Sequence, residues 1–258
     1  MQTCRLIVDP PQSGAWNMAV DEALLESAVA GGLPVFRLYQ WSEPTLSLGY
    51  FQAVADRQRH PASLGCPLVR RRSGGGAILH DYELTYSLVI PPGRSSRTPQ
   101  QHYDLVHDAI VEILTPFTSG SGLVVRKSAG IKRSPAAEPF LCFQRRATGD
   151  VVLADQKLGP DHKIAGSAQR KHRGTILQHG SLLIARSAAA PELPGVLDLC
   201  GTRAEPTKFA GELADLLAKA VPQKGGSWEP SKLSAAELAQ AERFVAERFG
   251  NANWNHCR

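Results

Sequence analysis

Apolar residues recur at helical spacing in four parts of the chain, and each part carries signals for a helix end. The first helix follows Ser13, a possible N-cap, and ends at the glycine pair 31–32. The run Thr-Pro-Gln-Gln at 98–101 has the residues of a capping box with proline at the first helical position, so a helix begins there. Two more helices are predicted at 207–221 and at 234–249.

Short runs rich in branched and aromatic residues predict the strands, which come in groups instead of alternating with helices. They lie at 6–8, twice within 34–49, and at 67–70, 77–80, 84–90, 123–125, 140–143, 151–153, 163–168 and 175–184. Grouped strands favour an α+β fold with a mostly antiparallel sheet flanked by helices. We expect loops at 128–138 and at 222–230, and one domain over 1–258 in which 206–258 forms a helical C-terminal extension.

Composition narrows the class of protein. The 258 residues are 43% hydrophobic and 21% charged, which is ordinary globular usage and argues against a disordered or coiled-coil chain. No run of 18 apolar residues and no signal-peptide pattern occurs, so we expect a soluble cytoplasmic protein without membrane contact. Five widely spread cysteines without a C-x-x-C pair argue against both a disulfide framework and a metal site.

The positive charge is concentrated in one segment. Residues 126–173 contain eleven Lys or Arg against four acids, a net charge of +7 within a chain of net charge +5. Such a segment favours an acidic partner, a nucleic acid or a phosphate-bearing ligand, although a solvated basic face has the same composition. Because only Phe140 and Phe143 supply aromatic rings there, nucleic-acid binding is the weaker interpretation.

Several common catalytic patterns are missing from the sequence. It contains no G-x-x-x-x-G-K-[ST] loop, no H-E-x-x-H pair and no G-x-S-x-G elbow. These absences argue against a P-loop nucleoside triphosphatase, a zinc protease and a serine hydrolase with a nucleophile elbow.

A glycine-rich turn between two predicted strands is the most informative stretch. Three consecutive glycines let the backbone approach a ligand closely, and neighbouring arginines can clamp an anion. A plain hairpin turn would have the same spacing. The candidate ligand-binding residues here are Arg71, Arg72, Ser73, Gly74, Gly75, Gly76 and His80.

Three further positions are candidates for chemistry. Lys163, followed by Gly166, Ser167 and Ala168, could place an ammonium group at a cleft and stabilise an oxyanion, or could be an ordinary edge-strand lysine. His179 could titrate or be a structural histidine. A cysteine between Leu and Phe is more often an inert core residue than a nucleophile, but the adjacent positive charge would favour a Cys142 thiolate.

These motifs, in this order, resemble those of the superfamily of lipoate-protein ligases and octanoyltransferases, which is related in fold to biotin protein ligases. The likeness rests on the stretch 71–81, on Lys163-x-x-Gly166-x-Ala168 and on His179, and it extends to 17–25 and 44–52. It runs from about residue 9 to residue 184. The resemblance implies a biotin/lipoate ligase-like catalytic domain.

The superfamily includes ATP-dependent lipoate ligases, cysteine-dependent octanoyltransferases and amidotransferases that act between lipoyl domains. The run Glu-Leu-Thr-Tyr-Ser at 83–87 and the pair Cys142-Phe143 resemble the latter two, and the small C-terminal domain of many ligases has no counterpart here. Gly76 completes the plain triple glycine familiar from ligases, where the cysteine-bearing transferases often carry an arginine. We favour the octanoyltransferase and keep the ligase and the amidotransferase as alternatives.

The resemblance also implies roles and partners. Cys142 would carry octanoyl from octanoyl-acyl carrier protein to a lysine of a lipoyl domain, such as that of the glycine cleavage H protein, while Lys163 stabilises the oxyanion. The remaining candidates would bind the substrate, and no metal, ATP or other cofactor would be needed.

Overall fold

The computed structural model describes residues 4–118, 123–130, 138–155, 161–221 and 228–258. The helices within them are α1 (Gly14–Val29), α2 (Pro99–Thr118), α3 (Val196–Cys200), α4 (Pro206–Ala220), α5 (Ala235–Phe244) and α6 (Ala252–Asn255). The strands are β1 (Cys4–Val8), β2 (Val35–Tyr39), β3 (Thr45–Leu48), β4 (Leu68–Arg70), β5 (Ile78–His80), β6 (Glu83–Ile90), β7 (Leu123–Ala129), β8 (Thr148–Asp155), β9 (His162–His172), β10 (Thr175–Leu183) and β11 (Trp228–Pro230).

The strands form two sheets. The larger has the order β11-β1-β2-β6-β10-β9-β8-β7, in which β1 is parallel to both neighbours and every pair from β2 to β7 is antiparallel. The smaller has the order β4-β3-β5. The predicted α+β fold, with a mostly antiparallel sheet flanked by helices, is confirmed, and the parallel strands at one edge make the sheet mixed.

Alternate residues of the central strands feed two cores on opposite faces of the large sheet. On β2, Phe36 and Leu38 join the core under α2 and α4, while Val35 and Tyr39 join the core under α1 and α5. This period of two is expected for a sheet covered on both faces. A third, smaller core lies under the three-stranded sheet and includes Phe140 and Leu141.

Three of the predicted helix starts are confirmed by their caps. Ser13 Oγ accepts a hydrogen bond from the Trp16 backbone N–H, and Thr98 Oγ1 accepts one from the Gln101 N–H. Ser234 and Glu237 form the predicted reciprocal capping box at α5. Each cap satisfies backbone donors that the first helical turn leaves without partners.

The strand predicted at 140–143 is wrong. Leu141 makes one isolated bridge with Ala77, and Cys142–Gln144 is a 3-10 turn. Phe140, Leu141 and Phe143 are all buried, so their apolar character reflects packing of a turn against the core. A short apolar run does not distinguish the two structures.

The C-terminal part also differs from the sequence prediction. The predicted last helix is α-helical only to Phe244 and continues as a π-helix over Val245–Phe249. In the predicted loop 222–230, the last three residues form β11, whereas 222–227 lie outside the described residues, as do 131–137 of the loop 128–138. α4 and α5 pack on opposite faces of the large sheet. The predicted division into a catalytic domain with an extension stays a prediction.

No helix within the described residues combines the length and the apolar character needed to span a bilayer.

Candidate active site

A pocket with about 540 Å³ of empty space, partly open to solvent, lies where the two sheets meet. It is lined by Met18, Tyr39, Arg71, Gly74, Gly75, Ile78, His80, Thr85, Cys142, Phe143, Lys163, Gly166, Ser167, Ala168, His179, Gly180 and Ser181. Ten of the thirteen candidate residues are therefore in one place. Arg72, Ser73 and Gly76 do not line the pocket but flank it in the chain.

Two structurally different walls enclose the pocket. The sheet wall consists of the lining residues on β9 and β10, from Lys163 to Ala168 and from His179 to Ser181. The loop wall consists of the lining residues between Arg71 and His80, together with the turn at Cys142 and Phe143.

A bulge in β9 gives the sheet wall its chemistry. Val151 and Val152 of β8 are adjacent, but they pair with Ala165 and Lys163, so β9 carries one extra residue there. In a regular strand Lys163 and Gly166 would face opposite sides, and the bulge lets both line the pocket. A Cβ on Gly166 would come within 2.5 Å of Lys163 Cε, so the glycine leaves room for the lysine stem.

Lys163 is held in a buried ion pair. Its Nζ lies 2.8 Å from Asp150 Oδ2, and both side chains are almost completely buried. Asp150 also accepts hydrogen bonds from Tyr103 Oη (2.8 Å) and from the Ala147 N–H (2.7 Å). Burial and then the charge of Asp150 raise the pKa of Tyr103, so the phenol remains a donor. An ammonium group has three donors, and this ion pair uses one of them.

Cys142 begins the turn of the loop wall and is partly exposed. Its backbone N–H donates to Ala77 O (2.7 Å), and the Arg145 N–H donates to Cys142 O (3.0 Å). The buried Arg71 guanidinium is within electrostatic range of the thiol: burial lowers the pKa of Arg71 to about 10, and the charge of a Cys142 thiolate opposes that shift. The turn therefore places the Cys142 thiol near a buried cation.

Arg71 fixes the glycine-rich loop. Its Nη2 donates to Gly74 O (3.2 Å) and to Gly76 O (2.9 Å), while Nη1 donates to Ser47 O (2.8 Å) and to Ser47 Oγ (2.7 Å). One guanidinium thus connects the loop to β3.

The same hydrogen-bond chain continues to His80. Ser47 Oγ is 2.6 Å from His80 Nε2, and His80 Nδ1 is 2.7 Å from Glu83 Oε1. With Glu83 ionised, Nδ1 carries the proton and Nε2 accepts from Ser47. Burial lowers the pKa of His80, and its ring stacks on Trp41 at a centroid distance of 3.8 Å. The histidine is therefore a neutral, fixed support for the loop wall.

His179 connects the two walls. Its Nε2 is 2.6 Å from Ser73 Oγ, and its Nδ1 is 3.5 Å from Asp21 Oδ2. Burial would raise the pKa of Asp21, but the hydrogen bond from His179 and the charge of Arg37 outweigh burial and lower it. Ser73, outside the pocket, thereby holds a histidine that lines it.

Sequence reasoning missed the partners of the predicted residues. Asp150 and Ser47 were not candidates, and Glu83 entered only as part of a motif. In the sequence, each of these is a polar residue in or beside an apolar strand. Such a position indicates a buried polar contact but does not identify the partner.

Five of the eleven basic side chains of the segment 126–173 are held in the following ion pairs. Arg126 and Arg146 contact Asp161, Lys127 contacts Asp104 and Asp108, Arg145 contacts Glu138, and Lys163 contacts Asp150. Lys132, Arg133 and Lys157 lie outside the described residues. Glu138, Asp150 and Asp161 are already counted in the net charge of +7, so among these contacts only Asp104 and Asp108 bring negative charge from outside the segment.

Comparison with known proteins identifies the sequence family. The model of the lipoyl protein ligase A/B catalytic domain matches residues 13–193. "Octanoyltransferase LipM" of Kyrpidia tusciae is 32% identical over 283 aligned positions, which cover 99% of each chain. The protein of the same name from Oceanobacillus iheyensis is 37% identical over 187 positions, which cover 67% of this chain and 60% of that relative.

Solved structures share the fold. A lipoate-protein ligase A bound with ATP superposes with a TM-score of 0.70 at 21% identity, covering 99% of each chain. A bipartite lipoate protein ligase from Thermoplasma acidophilum gives a TM-score of 0.70 at 18% identity, covering 99% of this chain and 97% of that one.

Proposed function

Since this chain belongs to the lipoyl protein ligase A/B catalytic-domain family, we propose that it acts as an octanoyltransferase through a Cys142 thioester. Its relatives at 30–37% identity are named octanoyltransferases, and the chain is an acyltransferase of this kind, which acts in lipoate biosynthesis. The cysteine mechanism and the roles of individual residues are our proposal. The observation that carries it is the presence of the Cys142 thiol, the Lys163 ammonium and the Arg71 guanidinium around one pocket.

The first step is attack of the Cys142 thiolate on the thioester carbonyl of octanoyl-acyl carrier protein. The new S–C bond forms a tetrahedral oxyanion, and its collapse breaks the bond to the carrier sulfur, which leaves and takes up a proton. Lys163 donates a hydrogen bond to the oxyanion, a contribution of about 3 to 4 kcal/mol for a well-placed donor. Because one thioester replaces another, positioning and thiolate formation matter more than an energy source.

The second step transfers octanoyl to the lipoyl-domain lysine. The neutral amine attacks the enzyme thioester, so that a C–N bond forms and the bond to Cys142 Sγ breaks. The proton that the amine loses passes to the released Cys142 thiolate. The amide is the more stable product, so the mechanism uses no nucleotide or other cofactor. Such acceptors include the lipoyl domain of a glycine cleavage H protein, and a cytoplasmic location belongs to the same proposal.

The pocket binds the octanoyl chain between its walls. Gly74 and Gly75 line the pocket on one side, and Gly166 to Ala168 line it on the other. Burial of the seven alkyl carbons of octanoyl, six methylenes and one methyl group, contributes roughly 5 to 6 kcal/mol at about 0.8 kcal/mol each. The remaining candidates, Arg72, Ser73, Gly76, His80 and His179, shape this site or support it.

The experiment is intact mass spectrometry after incubation with octanoyl-acyl carrier protein. We expect a single octanoyl adduct that hydroxylamine removes and that Cys142→Ala abolishes. Cys66→Ala is the matched control, because Cys66 is also a partly buried thiol but does not line the pocket. An adduct that persists in Cys142→Ala would move the nucleophile elsewhere.

Two alternative donors test the other branches of the superfamily. Free octanoate or lipoate with ATP should give no modification of a lipoyl domain. If it does, and Cys142→Ser retains this activity, the protein is a ligase. If an octanoylated lipoyl domain acylates Cys142 faster than the carrier protein does, the protein is an amidotransferase.

A further inference from the structure

Three arginines surround one buried carboxylate beside the pocket. Glu22 of α1 is almost completely buried; its Oε1 contacts Arg72 and Arg248 (3.5 Å), and its Oε2 contacts Arg170 (2.7 Å). The arginines come from the glycine-rich loop, β9 and the C-terminal π-helix. Their side chains are 30%, 13% and 25% exposed, so each presents part of its guanidinium to solvent.

The positive charge of this cluster exceeds the negative charge of the carboxylates around it. Glu26 contacts His172 (3.4 Å), and Glu247, which acts on Arg248, is also 3.9 Å from Arg243. Burial lowers the pKa of Arg248, and the charges of Arg72 and Arg170 lower it further, overcoming the opposing effect of Glu22. Three like charges held by one carboxylate attract an anionic partner.

The cluster lies at the opening of the pocket. Gly75 is exposed and Ala168 is partly exposed, so these lining residues of the two walls form the rim. Arg170 follows Ala168 by two positions on β9 and therefore lies on the same face of the strand. Arg72 precedes the glycines on the opposite rim.

An aromatic patch extends the cluster along the surface. Arg248 lies 5.1 Å from the Trp254 ring, Trp254 is 6.0 Å from Tyr50, and Tyr50 is 5.0 Å from Phe51. Phe51 is 77% exposed, and its ring is 4.0 Å from where a Cβ on Gly74 would be. We call the three arginines and three aromatic residues the arginine–aromatic surface.

We propose that the arginine–aromatic surface docks the acyl donor, an acidic carrier protein that delivers its acyl chain through the adjacent opening. This inference rests on the proposed function. The surface has the organisation of a protein-binding site, with an exposed aromatic anchor beside a charged region that attracts the partner. The positive charge of the surface favours an acidic carrier protein. Its position at the rim of the acyl pocket favours the carrier that delivers the acyl chain over the lipoyl-domain acceptor.

The acceptor has a separate approach. A second, polar cavity shares Phe143 and Lys163 with the acyl pocket and is also lined by Asp161 and Glu192. Because this cavity reaches Lys163 with a largely different set of lining residues, it offers the acceptor an approach that leaves the arginine–aromatic surface to the donor.

The test compares two donors in a variant that keeps Arg72 as the partner of Glu22. Arg170→Gln/Arg248→Gln should lower the second-order rate of Cys142 acylation by octanoyl-carrier protein about tenfold, since loss of attractive charge slows association. With octanoyl-pantetheine, a small donor without charge, the rate should change less than twofold. Arg243→Gln is the control, because Arg243 lies on α5 with a 57% exposed side chain and does not contact Glu22.

Binding of the carrier protein without an acyl chain, measured by calorimetry, separates docking from chemistry. We expect weaker binding in the double variant and in Phe51→Ser, whose exposed ring can be removed without disturbing the core. Equal losses with both donors, or unchanged carrier binding in both variants, would overturn the proposal. A loss confined to transfer from preformed acyl-enzyme to a lipoyl domain would assign the surface to the acceptor instead. If wild type binds the carrier but neither donor acylates Cys142, the proposed function fails while the docking surface stands.

Discussion

The two walls of the pocket are held in different ways. The sheet wall is built from β9 and β10, whose ladder continues through β6 and fixes each side chain by register. The loop wall has isolated backbone bonds, such as that from the Cys142 N–H to Ala77 O, and depends more on side chains: Arg71 binds the loop carbonyls, and Ser73 binds His179. In the proposed mechanism, Lys163, which stabilises the oxyanion, lies on the sheet wall. The nucleophile Cys142 lies on the loop wall, which has fewer backbone hydrogen bonds. Such an arrangement keeps the oxyanion site fixed while the thioester is made and broken.

Removal of the Lys163 charge from the sheet wall should have the largest effect and tests the difference between the two walls most directly. Lys163→Met should lower the rate of octanoyl transfer by about 10²- to 10³-fold, as expected for an oxyanion donor. It also leaves Asp150 buried without its partner, which should lower the free energy of unfolding by about 3 to 5 kcal/mol. Steady-state kinetics and urea denaturation measure the two effects.

A second variant separates catalysis from folding. Lys163→Met/Asp150→Asn removes the unpaired charge, so stability should recover in large part while activity stays low. Recovery of activity together with stability would show that Lys163 serves the fold alone.

The two walls also differ in how far the sequence predicts them. Apolar runs indicate β6, β10 and the first half of β9, because these stretches are buried by ordinary packing. The pairing of Lys163 with Asp150 follows from the β9 bulge, a register feature that no local pattern contains. The turn at Cys142 was mistaken for a strand because its apolar neighbours belong to a core formed by distant residues. Motif resemblance, not periodicity, brought Cys142 into the candidate site.

Removal of the Arg71 guanidinium tests the loop wall, as removal of the Lys163 charge tests the sheet wall. Arg71→Met leaves buried carbonyl groups of the loop and β3 without donors, which should cost about 3 to 4 kcal/mol of unfolding free energy. Because the proposed mechanism uses Arg71 as a cation near the thiol, alkylation of Cys142 by iodoacetamide at neutral pH should also be slower in this variant.

Arg57→Met is the matched control for Arg71→Met. Arg57 also donates to backbone carbonyls in a loop, those of Ser63, Leu64 and Cys66, but it does not line the pocket. It should lower stability without slowing alkylation. If both variants react like wild type, Arg71 has no role at the thiol.

A buried histidine behind the sheet wall should make stability depend on pH. Burial lowers the pKa of His107 from 6.5 to about 4, and the hydrogen bond between its Nδ1 and Gly149 O opposes this shift only in part. Ser167 Oγ is bound to the other ring nitrogen. The unfolded chain therefore takes up a proton first, so stability is full above pH 6.5 and falls as the pH drops towards about 4. The loss should be about 3 kcal/mol.

Urea denaturation at several pH values checks this slope. His107→Gln should flatten the profile between pH 6.5 and 4 relative to wild type, because the variant cannot take up a proton there. An unchanged slope would show that other groups, such as His80, account for the pH dependence.

Crowding of the sheet wall should cost less stability but should change the substrate. A Cβ on Gly180 would overlap Ser167 Oγ and lie 2.7 Å from Tyr86 Cε1 and 2.8 Å from the backbone oxygen of Gly166. Gly180→Ala should therefore lower the unfolding free energy by about 2 kcal/mol. Because these neighbours belong to the sheet, the added methyl group should also shorten the acyl chain that the pocket accepts, which competition between hexanoyl and octanoyl donors measures.

The equivalent change on the loop wall should have the smallest effect. Gly75 has φ +96°, so Gly75→Ala introduces backbone strain of about 1 to 2 kcal/mol, but the nearest atom to the new Cβ is Arg71 Nη2 at 3.7 Å. With room for the methyl group, the hexanoyl-to-octanoyl preference should stay that of wild type while the denaturation midpoint falls slightly. If Gly75→Ala instead shifts the preference as far as Gly180→Ala does, the loop wall sets chain length as firmly as the sheet wall. The nucleophile would then sit in a site as rigid as that of the charge it faces.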